Sequence, residues 1–246
     1  MKWWNGKIKG CSSLSKQQIL LQQCLAVWPR RGKTLLEINC GHGLFSPLLW
    51  ECGFDLTATE LRPELRLQAA DIMGGRAEIL AAADDYLPFD DDYFDSVVLH
   101  LTAVDKNGID AAVNEALRVT SRGLAVTFWN STSLAYALHR IQGSKNPWPG
   151  PAHSWWQVWR ALKDTKIGRL YGASTLAGPR KFWDGICPLS CCTRMLRLPF
   201  GAWGVMRLDL ESARPVTPMP LKIKRARLRS HEPIMECGSK NSLNSP

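Results

Sequence analysis

One stretch constrains this chain more than any other: Thr34 to Gly43, reading TLLEINCGHG. Leu35, Leu36 and Ile38 make the short apolar run that a buried parallel strand requires, and the pattern of residues 44–50 predicts a helix immediately after the turn. Strand, tight turn and helix are the opening of a nucleotide-binding βαβ unit. Gly41 and Gly43 lack a Cβ, so the backbone there can bend sharply and lie against a ligand. Its N–H groups and the helix N-terminus then face a negative or polar group. Turns of this kind also serve NAD, FAD or a plain connection, so the glycines alone do not fix the ligand.

The surroundings narrow the choice. Glu37 precedes the turn, no third glycine follows two residues on, and a second apolar run at 56–59 ends in Glu60. An acidic side chain at the second strand tip, about 20 residues beyond a glycine turn, is placed to accept hydrogen bonds from ribose hydroxyls. The stretch Glu37-Ile38-Asn39-Cys40-Gly41-His42-Gly43 resembles the first motif, (D/E)-x-G-x-G-x-G, of the class I S-adenosylmethionine-dependent methyltransferases. Asn39 stands where that motif has its first glycine, and Asn is the non-glycine residue that best tolerates a left-handed backbone. Two later segments are similar to the type 11, ubiquinone/menaquinone-biosynthesis-like branch of the family. These are Leu87-Pro88-Phe89 followed by Phe94-Asp95-Ser96-Val97, and Glu115-Ala116-Leu117-Arg118-Val119. The three motifs span residues 34 to 128 in family order; the Pro-Gly-Gly that follows the third in the family is reduced here to Arg122-Gly123.

The resemblance implies S-adenosylmethionine as cofactor. It places the backbone at Asn39, Gly41 and Gly43 along the methionine end, has Glu37 orient that end through its amino group, and gives Glu60 the ribose. Alignment on Leu87-Pro88-Phe89 puts Ala83 where the family has an adenine-side Asp, which leaves Asp84 and its neighbour Asp85 as substitutes or as a solvated loop. His100, expected at the end of the fourth strand, is the candidate catalytic residue, since a near-neutral pKa suits removal of a proton from an acceptor. Its alternative is a histidine hydrogen-bonded at a strand end. Asn130, Tyr136, His153 and the group Trp155, Trp156 and Trp159 are candidates for an acceptor pocket, although tryptophans at helical spacing are more often core.

Apolar periodicity predicts strands at 77–82, 96–101 and 124–128, with helices at 15–27, 62–73, 110–118, 134–141 and 155–162. A sixth strand is expected near 166–171 and an antiparallel seventh at 202–210. The fold class is therefore α/β: a Rossmann-like, doubly wound seven-stranded sheet, mostly parallel with an antiparallel last strand, helices on both faces, and ligands at the carboxyl ends of the strands. The expected division is a helical cap at 1–32, a methyltransferase domain at 33–213 and a basic tail at 214–246. Phe200-Gly201-Ala202-Trp203 followed by Pro215-Val216-Thr217-Pro218 also resembles a small bacterial subgroup of these enzymes.

The formal charge of +9 sits unevenly. Arg214 to Pro246 holds seven basic and two acidic residues, leaving 24 basic against 20 acidic in the rest. A basic tail, not a basic domain, sets the high pI. The eight cysteines lie in apolar or strand-end contexts or in the group Cys187, Cys191 and Cys192, without the spacing of a zinc site. In a chain of 246 residues reduced thiols are expected rather than a disulfide scaffold. No run approaches the roughly 18 apolar residues of a membrane span, and the expected setting is the cytoplasm. Three functions follow: a methyltransferase acting on a small-molecule acceptor, an RNA methyltransferase guided by the run Lys222 to Arg229, or a non-catalytic cofactor-binding or partner-binding protein.

Overall fold

The computed structural model describes residues 13–141, 148, 150–165, 168–178, 183 and 199–210. The tail at 214–246 lies outside the described residues. Strand β1 (Thr34–Ile38) pairs in parallel with β2 (Asp55–Thr59) on one side and β4 (Phe94–His100) on the other. β3 (Glu78–Leu80) extends the sheet beyond β2, and β5 (Thr120–Asn130) pairs in parallel with β4. β8 (Trp203–Asp209) then inserts between β5 and β7 (Arg169–Thr175), antiparallel to both, giving the order β3-β2-β1-β4-β5-β8-β7. The direction of winding reverses between β1 and β4, so the crevice for a ligand opens beyond the tips of those strands.

Helices cover both faces. Residues of α1 (Ser13–Leu25), α2 (Ser46–Glu51) and α3 (Pro63–Met73) share one buried cluster, through Leu20, Leu21, Leu25, Leu49 and Met73. The α5 helix (Leu134–Ile141) adds Ala135 to that side. Residues of α4 (Ile109–Arg118) and α6 (Trp155–Lys163) share the other cluster. In α4, Ile109, Ala112, Val113 and Ala116 are buried, an i, i+3, i+4, i+7 stripe that leaves Asp110 and Asn114 to solvent. Each large apolar side chain fully buried in this way stabilises the fold by about 1.5–3 kcal/mol. Gly74 ends α3 in the left-handed region at φ +55°, which a Cβ would disfavour.

The parallel unit follows the sequence pattern closely; the C-terminal half departs from it. An eighth strand, β6 (Ala152–His153), pairs with the far end of β5 at Trp129 and Asn130. Two residues cannot show a period, and β5 runs to Asn130 rather than stopping at 128. The sixth strand of the main order lies at Arg169–Thr175, not 166–171. Gly172 reads as a strand breaker, yet a Cβ there would fall 2.6 Å from the Trp155 ring, so glycine is what lets α6 lie against β7. Trp155 itself is buried beside Phe128, at a centroid separation of 5.8 Å, in the cluster shared with α4. Trp156 is exposed and Trp159 half-buried. Among the described residues, no helix is long and apolar enough to cross a membrane.

Candidate active site

The turn after β1 owes its shape to three consecutive left-handed positions at alternate residues: Asn39 (φ +59°), Gly41 (φ +58°) and Gly43 (φ +71°). Asn39 occupies the left-handed region directly and reaches the His100 carbonyl through Nδ2 at 3.4 Å, a long contact. The two glycines serve different ends. A Cβ on Gly43 would meet Cα and Cβ of Ala69 at 3.1 Å, so this glycine lets the turn press against α3. Among the described residues, a Cβ on Gly41 would meet nothing within 4 Å. That open side is the cradle a backbone-hugging ligand needs, and on this observation the residues fit an adenosyl cofactor.

Glu60 stands beside it. Its Oε2 accepts the Gly41 N–H at 2.9 Å, while Oε1 accepts Arg62 N–H at 3.1 Å and Arg62 Nε–H at 2.9 Å. Burial alone would raise its pKa, but the Arg62 and Gly41 hydrogen bonds outweigh that and hold the carboxyl below its ordinary value. Glu60 is thus a carboxylate at neutral pH, with acceptor capacity at the tip of β2.

Glu37 lies one layer deeper and is wholly buried. Ser46 donates to its Oε2 at 2.6 Å, and His100 Nε2 lies 3.0 Å from its Oε1. The other ring nitrogen of His100, Nδ1, is 2.7 Å from Thr127 Oγ1, and Phe45 stacks on the imidazole at 5.1 Å. Glu37, His100 and Thr127 therefore link the ends of β1 and β4 to the neighbouring stretch of β5 in one buried row. Both nitrogens of His100 are engaged, and the residue is 3% exposed. Asp84 and Asp85 sit apart in the loop after β3, half-buried and exposed respectively, with Ala83 bridged to Tyr86. No hydrogen bond joins either of them to the row.

The later sequence motifs turn out to fasten this loop and the sheet. Glu115 accepts the Leu87 N–H at 2.8 Å and two bonds from Arg118, whose guanidinium also donates to the carbonyls of Phe89 and Leu87 and to Asp91. Asp95 accepts from Lys33, the Thr34 N–H and Arg122, joining the starts of β1 and β4. Asn130 is fully buried and saturated: Nδ2 donates to the carbonyls of Pro199 and Gly201, and Oδ1 caps Thr132. His153 donates to the Leu101 carbonyl at 2.9 Å through Nε2, and burial pushes its pKa down.

Sequence reasoning named Tyr136 but missed the tryptophans of the aromatic wall it joins, on the α1 side of the β5 tip. Trp129 stacks on Trp148 at 4.7 Å and 8°, Trp148 on Trp183 at 5.3 Å and 8°, and Tyr136 flanks Trp148 at 6.4 Å. Helix α1 is tied to both features: Lys16 Nζ donates to the Trp183 carbonyl at 2.7 Å, and Gln18 Nε2 to that of Leu44 at 3.1 Å. Trp148 and Trp183 belong to no regular element, so no period announces them. Ser46, Thr127 and Arg62 were missed too; only the Glu60-x-Arg62 spacing at a helix start could have pointed to one of them.

Sheet order, glycine turn and acidic strand tip together define the fold of the class I S-adenosylmethionine-dependent methyltransferases. Residues 36–127 match the family model of a methyltransferase domain. It is 33% identical over 130 residues to a malonyl-[acyl-carrier protein] O-methyltransferase of Erwinia billingiae, over 50% of this chain and 48% of the relative. The chain thus spans about half the length of the curated relative it matches. Among solved structures, it resembles a methyltransferase of Thermotoga maritima described as a possible histamine N-methyltransferase. The TM-score is 0.63 at 18% identity, over 82% of this chain and 90% of that one. A magnesium protoporphyrin IX methyltransferase of Synechocystis, solved with S-adenosylhomocysteine, gives a TM-score of 0.56 at 13% identity, over 81% and 83%. At these identities the structural likeness establishes the fold.

Proposed function

We propose that this chain is an S-adenosylmethionine-dependent methyltransferase acting on a small, largely apolar acceptor. The observation that carries the reading is the open side of Gly41 next to the ionised Glu60, both at the β1–β2 tips. The cofactor, when bound, supplies a methyl group already activated on a sulfonium, so the protein's task is chiefly to position the partners and exclude water. Gly41 and Gly43 offer backbone along the methionine end, and Glu60 accepts from the ribose. Asp84 and Asp85 are the acidic groups nearest in sequence to the expected adenine side. Glu37 and His100 act from beneath, fixing the turn through Ser46 and Thr127. With no ring nitrogen open, His100 is a positioning residue in this reading rather than a proton acceptor.

The aromatic wall supports the choice of acceptor, since stacked rings with one half-buried tyrosine edge favour an apolar body over a charged one. The curated relative, whose name describes methylation of a malonyl group on a carrier protein, supports a small acceptor moiety. Calorimetric titration with S-adenosylmethionine and S-adenosylhomocysteine tests the cofactor half. Absence of binding by either ligand would sink it and favour a partner-binding role. Metabolite extracts incubated with methyl-labelled cofactor then test the acceptor half. The basic run Lys222 to Arg229 motivates an RNA substrate as the second reading. Truncation at Arg214 that abolished salt-dependent RNA binding together with transfer would favour it.

A further inference from the structure

A carboxylate has about four lone-pair positions. In Glu60 two on Oε1 are taken by the Arg62 N–H and Nε–H, and one on Oε2 by the Gly41 N–H. One position therefore remains on Oε2, whereas the vicinal diol of a ribose brings two O–H donors. A second hydroxyl can bind only if a present donor leaves. The Gly41 N–H is fixed by the turn, and the Arg62 N–H by the start of α3, where Arg62 is the N-cap and Pro63 follows. The Arg62 guanidinium is different: its side chain is 55% exposed while the Glu60 side chain it covers is 2% exposed. It is the one donor that can swing into water without disturbing main chain. Arg66 steadies the strand tip independently, donating to the carbonyls of Glu60 and Leu61 at 3.1 and 3.3 Å.

We propose that Arg62 competes with the ribose diol for Glu60, and so lowers nucleoside affinity and blunts the preference for an intact ribose over a deoxyribose. This rests on the cofactor reading above. With no nucleoside bound, Arg62 keeps the buried carboxylate paired, as a buried charge requires. A ligand with both hydroxyls exchanges one displaced bond for two new ones. A ligand with a single hydroxyl uses the spare position and leaves Arg62 in place.

The test titrates wild type and Arg62→Ala with S-adenosylhomocysteine and with its 2′-deoxyribose analogue. Removing a half-exposed ion pair should tighten S-adenosylhomocysteine about two- to fivefold. The deoxy analogue should bind both proteins alike. Added salt, which screens the exposed guanidinium, should bring wild type toward the variant and leave the variant unchanged. Equal or weaker binding of S-adenosylhomocysteine by Arg62→Ala would overturn the inference, and so would an equal gain for both ligands. If neither protein bound S-adenosylhomocysteine, the cofactor reading itself would be refuted, and this inference with it.

Discussion

Gly41→Ala separates the two jobs that the glycine turn performs. At φ +58° an L-residue is disfavoured by about 1–2 kcal/mol. Lower chain entropy in the unfolded state returns about 0.4–1 kcal/mol. Among the described residues a Cβ there touches nothing, so no packing penalty is added, and the net loss is about 1 kcal/mol. For a domain of this size that lowers Tm by about 2–4 °C. The methyl group would project into the space assigned to the cofactor, so S-adenosylhomocysteine should bind at least about tenfold more weakly, some 1.4 kcal/mol. Gly43→Ala makes the control. It has the same backbone penalty at φ +71° plus contacts of 3.1 Å with Ala69, and overpacking of this kind adds about 1–3 kcal/mol. Its Tm should therefore fall further than that of Gly41→Ala. Scanning fluorimetry and calorimetric titration read both quantities. Wild-type affinity in a folded Gly41→Ala protein would refute the assignment of the open side to a ligand.

Three further outcomes are expected. His153 is buried with its pKa held below 6.5, so the unfolded chain takes up the proton first. Stability should be full above about pH 6.5 and fall as the pH drops below it, and a His153→Asn variant should lose that part of the slope in pH-dependent urea melts. Glu115 is held below its ordinary 4.5 by Arg118 and the Leu87 N–H, so its contribution is present above about pH 4.5 and lost under acid. Glu115→Gln should destabilise by about 1–3 kcal/mol at neutral pH and flatten the acid limb of the same melts. Burial raises the Cys24 thiol to about 11 and moves Cys40 upward as well. Both should resist alkylation at neutral pH until the protein unfolds, as peptide mapping after timed labelling would record.

The half of the fold that carries the nucleotide turn could be read because each element there obeys a local rule. Leu35, Leu36 and Ile38 are buried as an apolar parallel run must be, Pro63 opens α3, and Asn39 adopts the left-handed backbone its side chain tolerates. The placements of Glu37 and His100 could not be read. Their spacing says which strand tips they occupy, but not that Ser46 and Thr127 close around them and draw both beneath the surface. Trp155 is core, as tryptophans at helical spacing more often are, because Gly172 and Gly204 clear room for its ring on the opposite face. The motif Glu115-x-x-Arg118 was visible as a resemblance, and its physical reason appears only in three dimensions, as a clamp on the loop from Leu87 to Asp91.

The insertion of β8 between β5 and β7 has a consequence for how the molecule is made. On the ribosome, β7 emerges with nothing to pair with and must wait until some 30 later residues have been synthesised. Until then the edge of β5, rich in buried apolar side chains, stays open to chance pairing with other nascent chains. Trp28 donating to Asp209 and Arg207 donating to the Cys24 carbonyl fasten the late strand to the earliest helical region only after it arrives. Nascent chains stalled before residue 203 should therefore bind chaperones, and release should coincide with the exit of residue 210 from the tunnel.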